Sequence, residues 1–325
     1  MFDKKHPSIS NDPGAFRGSG RYYKALNAAG ISYEQLPLWN PFTLPSAKPV
    51  GRGVIAIFDV IPLKFANHFP IGIKGKIKLF KSKLALKKFN TILTISQVAK
   101  KDIQNYLKIP ADRIRVAYPP VDPVFLKAPN RKSEVSSVIP NLFRDPKRNI
   151  PYCIYVGDVN WNKNLPTLAR AIKLSGISCV FVGKAFSTPP LPHKWHRGYQ
   201  EFYELAKDDP KFIFPGYVSD EKLIPLYKNA VCNVLVSHDE GFGYSYAEAA
   251  ALGVPSVLSD TPIFHETAGS TALFASPTDA QDIADKITTL LNDSKKRSEL
   301  GTSAQKRTQE LFDPKDFTNA VSQLV

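Results

Sequence analysis

Cysteine is scarce in this chain of 325 residues: Cys153, Cys179 and Cys232 are the whole supply. Each lies in a strand-like apolar run and no two have metal-ligand spacing, so the expectation is buried, reduced thiols in a cytoplasmic protein. Long apolar runs are missing too. The longest, Gly53–Leu63, is interrupted by Asp59, whereas a membrane-spanning helix needs about 20 apolar residues. Met1-Phe2-Asp3-Lys4-Lys5 leads into polar sequence without the apolar core of a signal peptide. There is no internal repeat, and no Asp-x-Asp pair of the kind that holds a divalent metal.

Acidic residues are short in one part of the chain only. Residues 1–128 carry 21 Lys and Arg against 7 Asp and Glu, while residues 129–325 carry 22 of each, so the whole net charge of +14 belongs to the first part. That asymmetry, in a chain too long for one small core, implies two domains. The first faces something acidic: phospholipid, a phosphorylated acceptor or nucleic acid.

Strands and helices alternate at short spacing. In the second half Tyr152–Gly157, Ile177–Gly183, Phe212–Pro215, Val231–Ser237 and Val254–Leu258 read as strands. Pro166–Ser175, Tyr199–Lys207, Asp220–Asn229, Tyr244–Leu252, Asp279–Leu291 and Lys295–Leu311 read as helices. In the first half Tyr33–Leu38, Gly53–Phe58, Thr91–Ser96 and Arg113–Tyr118 read as strands, and Gly20–Ala29, Ile73–Lys88 and Val98–Leu107 as helices. This order means βαβ units and parallel sheets, an α/β fold. Residues 128–150 are polar and broken and read as a linker.

The most informative stretch runs from Ser237 to Pro255. It starts at the C-terminal end of a strand, where open α/β sheets bind ligands. Gly241 and Gly243 let the backbone approach a ligand, and a helix starting near Tyr244 aims N–H groups and its positive end at the same place, an anion site suited to a diphosphate. Glu240 stands at the loop edge. Glu248, in the second helical turn, suits a pair of hydroxyls such as a ribose diol, although a glutamate in an Ala-rich helix often only faces water.

Glu240 and Glu248 with seven residues between, Gly241-Phe242-Gly243 after the first, and the turn Gly253-Val254-Pro255 resemble the family 4 retaining glycosyltransferases (glycosyl transferases group 1). Tyr155–Asn164 is similar to that family's donor-phosphate loop, with Lys163 at its lysine, and Gly216–Asp220 to the segment that receives the nucleotide base. Arg17–Tyr22 resembles the glycine loop opening the first helix, and Asp59–Leu63 with His68-Phe69-Pro70 also matches.

The resemblance implies the GT-B architecture, two Rossmann-like doubly wound domains facing a cleft. Residues 1–128 form an acceptor-binding domain to which 314–325 cross back, and residues 150–313 a donor-binding domain. Only Met1–Lys5 leave room for the strand that normally precedes the glycine loop, so the first domain is expected to lack it or to begin its sheet differently. The implied activity is retaining transfer, without metal or other cofactor, of a sugar from a GDP- or UDP-sugar to a glycan or lipid-linked acceptor, a mannosyltransferase-like choice being favoured. Glu240 and Lys163 are the implied catalytic residues. Glu248, Gly241, Phe242, Gly243, Tyr244, Val218, Gly157, Asp158 and Lys184 are implied on the donor, and Gly18, Ser19, Gly20 and Asp59 on the acceptor side.

Two departures stand out: Asp158 where many members have an arginine, which shifts phosphate binding to Lys163 with help from Lys184, and Phe58 where many have a histidine. A nucleotide-sugar epimerase and an inactive or truncated sugar-nucleotide-binding relative are the alternative readings. Between Lys74 and Lys88 seven lysines surround Ile77, Phe80 and Leu84, which share one helical stripe. Either the stripe faces the core and the lysines face water, or the segment docks at an anionic membrane surface as part of a peripheral protein. No nucleic-acid recognition motif is present.

Overall fold

The structure, a computed structural model, describes residues 17–32, 34–41, 53–128 and 150–325. The chain divides into two compact units, Met1–Asp122 with Leu311–Val325, and Pro123–Glu310.

The first unit is built on a three-stranded parallel sheet of β1 (Val54–Ala56), β2 (Thr91–Thr94) and β3 (Ile114–Val116), in that order. β1, and β2 apart from Thr91, are buried on both faces because helices cover a parallel sheet on both sides, while the edge strand β3 exposes Arg115; Ile55, Ile57, Phe89, Ile92, Ile103 and Ile114 form the core. Around it lie α1 (Arg17–Ala28), α2 (Ile61–Lys64), α3 (Ile73–Leu86) and α4 (Gln97–Leu107). Ser96 caps α4 by accepting the Ala99 N–H at 3.0 Å, and Lys108 ends it in the left-handed region. The chain enters the second unit with α5 (Pro123–Leu126).

Two expectations for this unit fail. Residues 34–38 form no strand. The Leu36 N–H donates to the Ser32 carbonyl and the Ser32 N–H to Gln35 Oε1, which closes a turn. Pro37 then has no N–H to give, and one isolated bridge, Leu38 to Ala56, is all that remains. Tyr33, like Met1–Lys5 and the linker residues 129–149, lies outside the described residues. On α3 the first of the two readings fails: the stripe does not face the core but is exposed, Ile77 by 51%, Phe80 by 64% and Leu84 by 44%; Gly75, Ser82 and Leu86 form the buried side.

The second unit carries β4 (Tyr152–Val156), α6 (Leu165–Ser175), β5 (Ser178–Val182), α7 (Arg197–Ala206), β6 (Phe212–Gly216), α8 (Asp220–Asn229), β7 (Asn233–Leu235), α9 (Tyr244–Ala251), β8 (Ser256–Ser259), α10 (Pro262–Ala268), β9 (Leu273–Ala275), α11 (Ala280–Asn292) and α12 (Ser294–Leu311). Its six strands are all parallel, in the order β6-β5-β4-β7-β8-β9. The chain starts in the middle, winds outward to β6, returns beside β4 and winds the other way. The crevice beyond the carboxyl ends of β4 and β7 is therefore the topological switch point, where such sheets bind ligands. The three cysteines are buried free thiols, and burial pushes the Cys153 and Cys232 thiols well up. Among the described residues no helix is long and apolar enough to cross a membrane.

The C-terminal helix α13 (Pro314–Ser322) packs on α1 in the first unit, with Phe317 5.5 Å from the Tyr22 ring. Nearby Arg21 holds Asp122 at 2.9 Å, their side chains only 9% and 5% exposed, while Lys24 reaches the same oxygen from solvent. Asp122→Ala would leave the Arg21 charge in the interior short of its carboxylate. We expect a loss of about 3 kcal/mol in chemical denaturation, mostly recovered in Arg21→Met/Asp122→Leu. A loss in the single variant no larger than the roughly 1 kcal/mol of an exposed pair would contradict the buried pairing.

Candidate functional site

Two loops leave the switch point, residues 157–164 after β4 and 236–243 after β7. They are bound to each other by buried amides. The His238 N–H donates to the Asn162 carbonyl at 2.7 Å, and Asn162 Nδ2 donates to the Asp239 carbonyl at 3.0 Å. Asn164 Nδ2 bridges the Val236 and Pro277 carbonyls at 2.9 and 2.6 Å. Asn164 sits in the left-handed region, which asparagine tolerates better than other side chains. The Trp161 and His238 rings stack across the join, centroids 4.7 Å apart.

This clasp brings Lys163 Nζ to 2.6 Å from Glu240 Oε1, with side-chain exposures of 19% and 9%. Ser237 Oγ donates to the same oxygen at 2.7 Å, and the Glu240 N–H donates to Asp239 Oδ1. The carboxylate is thus fixed by a cation and a hydroxyl while the ammonium keeps two further protons for another anion.

Beyond Glu240 the chain passes Gly241, buried Phe242 and Gly243 into α9. Gly243 has φ +92, and a Cβ there would lie 2.8 Å from the Phe264 ring, so only glycine fits. Phe242 packs edge-on against Tyr244, 5.1 Å between centroids. The first turn of α9 carries N–H groups that its own ladder cannot use, and Ser245 Oγ is buried there without a partner. Glu248, in the second turn, does not face water. It is 2% exposed and accepts from the Tyr227 hydroxyl of α8 at 3.2 Å.

Asp158 serves its own loop. Its carboxylate accepts the Val159 N–H at 2.7 Å and Asn160 Nδ2 at 2.9 Å, and its carbonyl accepts the Tyr155 hydroxyl at 2.6 Å. Burial, and then the carboxylates of Glu240 and Asp158, push the Tyr155 phenol well up, so it keeps its proton and donates. Lys184 is exposed in the turn after β5, and Val218 is buried just past β6, beside exposed Tyr217. The ends of β4 and β5 meet closely: a Cβ on Gly183 would lie 2.2 Å from the Gly157 carbonyl.

In the first unit Gly18, Ser19 and Gly20 belong to the first turn of α1 rather than to a loop before it, with Ser19 buried. Asp59 follows β1, and its Oδ1 accepts the Ile61 N–H at 3.0 Å, turning the chain into α2. Phe58, at the family's histidine position, packs edge-on against Tyr22 at 4.7 Å. Lys163 and Glu240 are thus in direct contact, and Glu248 follows them on α9. Ser237, Asn162, Asn164, Tyr227 and Ser245 were not singled out in the sequence. The asparagines had a signal in the density of amides in Asn160-Trp161-Asn162-Lys163-Asn164; the others are ordinary residues until the fold places them.

The family model described as "Glycosyl transferases group 1" matches residues 142–307, half of the chain and all of both loops. The chain is 27% identical over 260 residues to the O-antigen chain mannosyltransferase B of Escherichia coli, covering 74% of this chain and 62% of that protein. It is 28% identical over 229 residues to the O-antigen chain mannosyltransferase RfbU of Salmonella typhimurium, covering 69% and 57%. It therefore spans about three fifths of the length of these two curated relatives. Among solved structures it is similar in fold to the Anabaena protein HepE in complex with UDP-glucose, with a TM-score of 0.66, 19% identity, and 83% and 71% of the two chains covered.

Burial raises the Asp158 carboxyl above its ordinary 3.8, against the opposing pull of the Val159 N–H, Lys163, His196 and Asn160. The folded chain then holds this proton more tightly than the unfolded one. Its stabilising effect is complete below 3.8 and fades as pH rises from there to the raised value. In Asp158→Asn the denaturation midpoint should fall less steeply across that acid range; an unchanged slope would contradict the assignment.

Proposed function

The chain belongs to the glycosyl transferases group 1 family, and from that premise we propose that it transfers a sugar from a nucleotide-sugar donor to a glycan or lipid-linked acceptor, with retention at the anomeric carbon and without a metal ion. One observation carries the proposal: at the switch point the two loops hold Lys163 on Glu240, beside a helix start whose Ser245 hydroxyl is buried and unpartnered.

The donor diphosphate sits against the first turn of α9, taking hydrogen bonds from its N–H groups and from Ser245. Lys163 turns from Glu240 to the leaving phosphate and neutralises the charge that grows as the bond from the anomeric carbon to the phosphate oxygen breaks. Glu248, oriented by Tyr227, accepts from the ribose hydroxyls. Glu240 lies beside the sugar ring and stabilises its developing positive charge. The acceptor oxygen bonds the anomeric carbon on the face the phosphate leaves, and its proton passes to the departing phosphate oxygen, so no side chain is needed as a base. The metal-free reading draws support from the absence of an Asp-x-Asp pair in the sequence.

GDP-mannose is the first donor to test, because the two curated relatives are named as mannosyltransferases, and UDP-glucose the second, because HepE was solved with it. Gly157, Gly241, Phe242, Gly243 and Tyr244 line the donor path with backbone, and Val218 and Lys184 flank the base and phosphate ends. Gly18, Ser19, Gly20 and Asp59 belong to the acceptor side. The surplus of positive charge in residues 1–128 suits an acceptor that carries phosphate and an anionic membrane surface met by the Lys74–Lys88 segment. The Lys163–Glu240 contact and the hydrogen bond from Tyr227 to Glu248 support the reading of a working transferase over an inactive relative.

Thermal unfolding with GDP, UDP and their sugar conjugates tests the donor site. One nucleotide class should raise the midpoint, by about 2.7 kcal/mol of stabilisation at one hundred times its dissociation constant, and Glu248→Ala should abolish the response. Glu240→Gln should keep the response while turnover falls by roughly 100-fold or more. If no nucleotide shifts the wild type at roughly millimolar concentration, the transferase reading fails.

A further inference from the structure

Among the described residues, half of the exposed large apolar side chains lie on one surface of the first unit. Ile73, Ile77, Phe80 and Leu84 of α3 are 79, 51, 64 and 44% exposed, and Tyr106 of α4 is 37% exposed. The four on α3 fall at helical spacing, a continuous apolar strip on the side away from the buried Gly75, Ser82 and Leu86. A strip of this kind on a surface marks a contact site.

Where α3 meets the end of α4 the strip opens into a groove of about 280 Å³. Its walls are Phe80, Leu84, Leu107 and Ile109, and its charged lining is Lys83, Lys87, Lys108 and Arg113, with no acidic side chain among the described residues. Lys83 leans on the Tyr106 carbonyl at 3.4 Å, and Arg113 donates to the Phe89 and Asn90 carbonyls, which fixes its guanidinium at the base of the groove. Lys87 and Lys108 stand exposed on either side, held by the backbone that ends α3 and α4.

An apolar trough lined by four cations and no anion recognises a molecule with an apolar body and an anionic head. We propose that this groove seats a single anionic lipid of a bilayer, its phosphate among Lys87, Lys108 and Arg113 and the upper part of its chain against Phe80 and Leu84. The exposed strip enters the headgroup region beside it. This rests on the membrane part of the function proposed above and makes it specific: a headgroup site, where the lysine-rich helix alone would give only diffuse attraction. Phe80 and Leu84 belong to both the strip and the groove, so one orientation of the first unit on the membrane satisfies both.

The test compares two charge removals of equal size in the full chain. Sedimentation with vesicles of phosphatidylcholine and phosphatidylglycerol is measured for Lys87→Gln/Lys108→Gln at the groove and for Lys74→Gln/Lys76→Gln at the start of α3. Diffuse attraction gives each lysine a roughly fivefold effect wherever it lies near the surface, so it predicts equal losses. The headgroup site predicts a clearly larger loss for the groove pair, and a loss also in Phe80→Ser, which keeps every charge. Short-chain phosphatidylglycerol below its micelle concentration should bind saturably and protect the groove from lysine acetylation, with inorganic phosphate far weaker. Equal losses with no saturable binding of the short-chain lipid would overturn the groove and leave diffuse docking. Equal competition by inorganic phosphate would also overturn it, in favour of a simple anion site. No preference for phosphatidylglycerol vesicles would overturn groove and membrane docking together. The nucleotide-induced midpoint shift, read on the same variants, reports separately whether the donor site stands.

Discussion

The contact between Lys163 and Glu240 is what the site depends on. Each side chain would be costly alone in its place, because a charge drawn out of water needs a partner. Together, with the Ser237 hydroxyl on the same carboxylate oxygen, they form a neutral unit that holds a cation ready for use. A ligand carrying phosphate can take the lysine without the protein having to bring a charge in from solvent. In the transfer proposed above, the electrostatics would thus be prepared before a donor arrives, which is where most of their effect comes from.

The pair could not form without the sheet. The order β6-β5-β4-β7-β8-β9 puts the ends of β4 and β7 next to each other although 77 residues separate Lys163 from Glu240. Asn162 and Asn164 then lock the two loops by satisfying carbonyls that would otherwise be buried without donors. Gly243 lets α9 start immediately after the loop, with Glu248 buried on its second turn. A fold of this class hosts many activities; the charges gathered at its switch point select among them.

Much of this was legible in the residues. The parallel strands announced themselves as short apolar runs, and the spacing of Glu240 and Glu248 with Gly241-Phe242-Gly243 between them pointed to the site directly. Other features were not legible, for physical reasons. The strand β9 pairs only Leu273–Ala275 at the sheet edge, too short a run to carry a period. The Tyr33–Leu38 stretch has the composition of a strand, but within its described part the Leu36 N–H goes into a turn and only Pro37 and Leu38 reach β1. The α3 stripe reads the same whether it faces core or water, because spacing reports that residues share a face and not what the face meets. Asp158 departs from the family's arginine in the phosphate loop; its partners Val159, Asn160 and Tyr155 are all within three residues, and only the folded loop shows that it acts as a brace. Glu248, too, needed the fold to bring Tyr227 against it from another helix.

If Lys163 is held by Glu240 until a diphosphate replaces the carboxylate, then neutralising Glu240 frees the lysine and removes a negative charge from the crevice. Calorimetric titration of GDP and UDP into wild type and Glu240→Gln measures this directly. The account predicts that the variant binds the nucleoside diphosphate several-fold more tightly, on the order of 1 kcal/mol for a partly buried charge. Unchanged or weaker binding in a folded Glu240→Gln would contradict it, and would mean that the pair serves only to join the two loops.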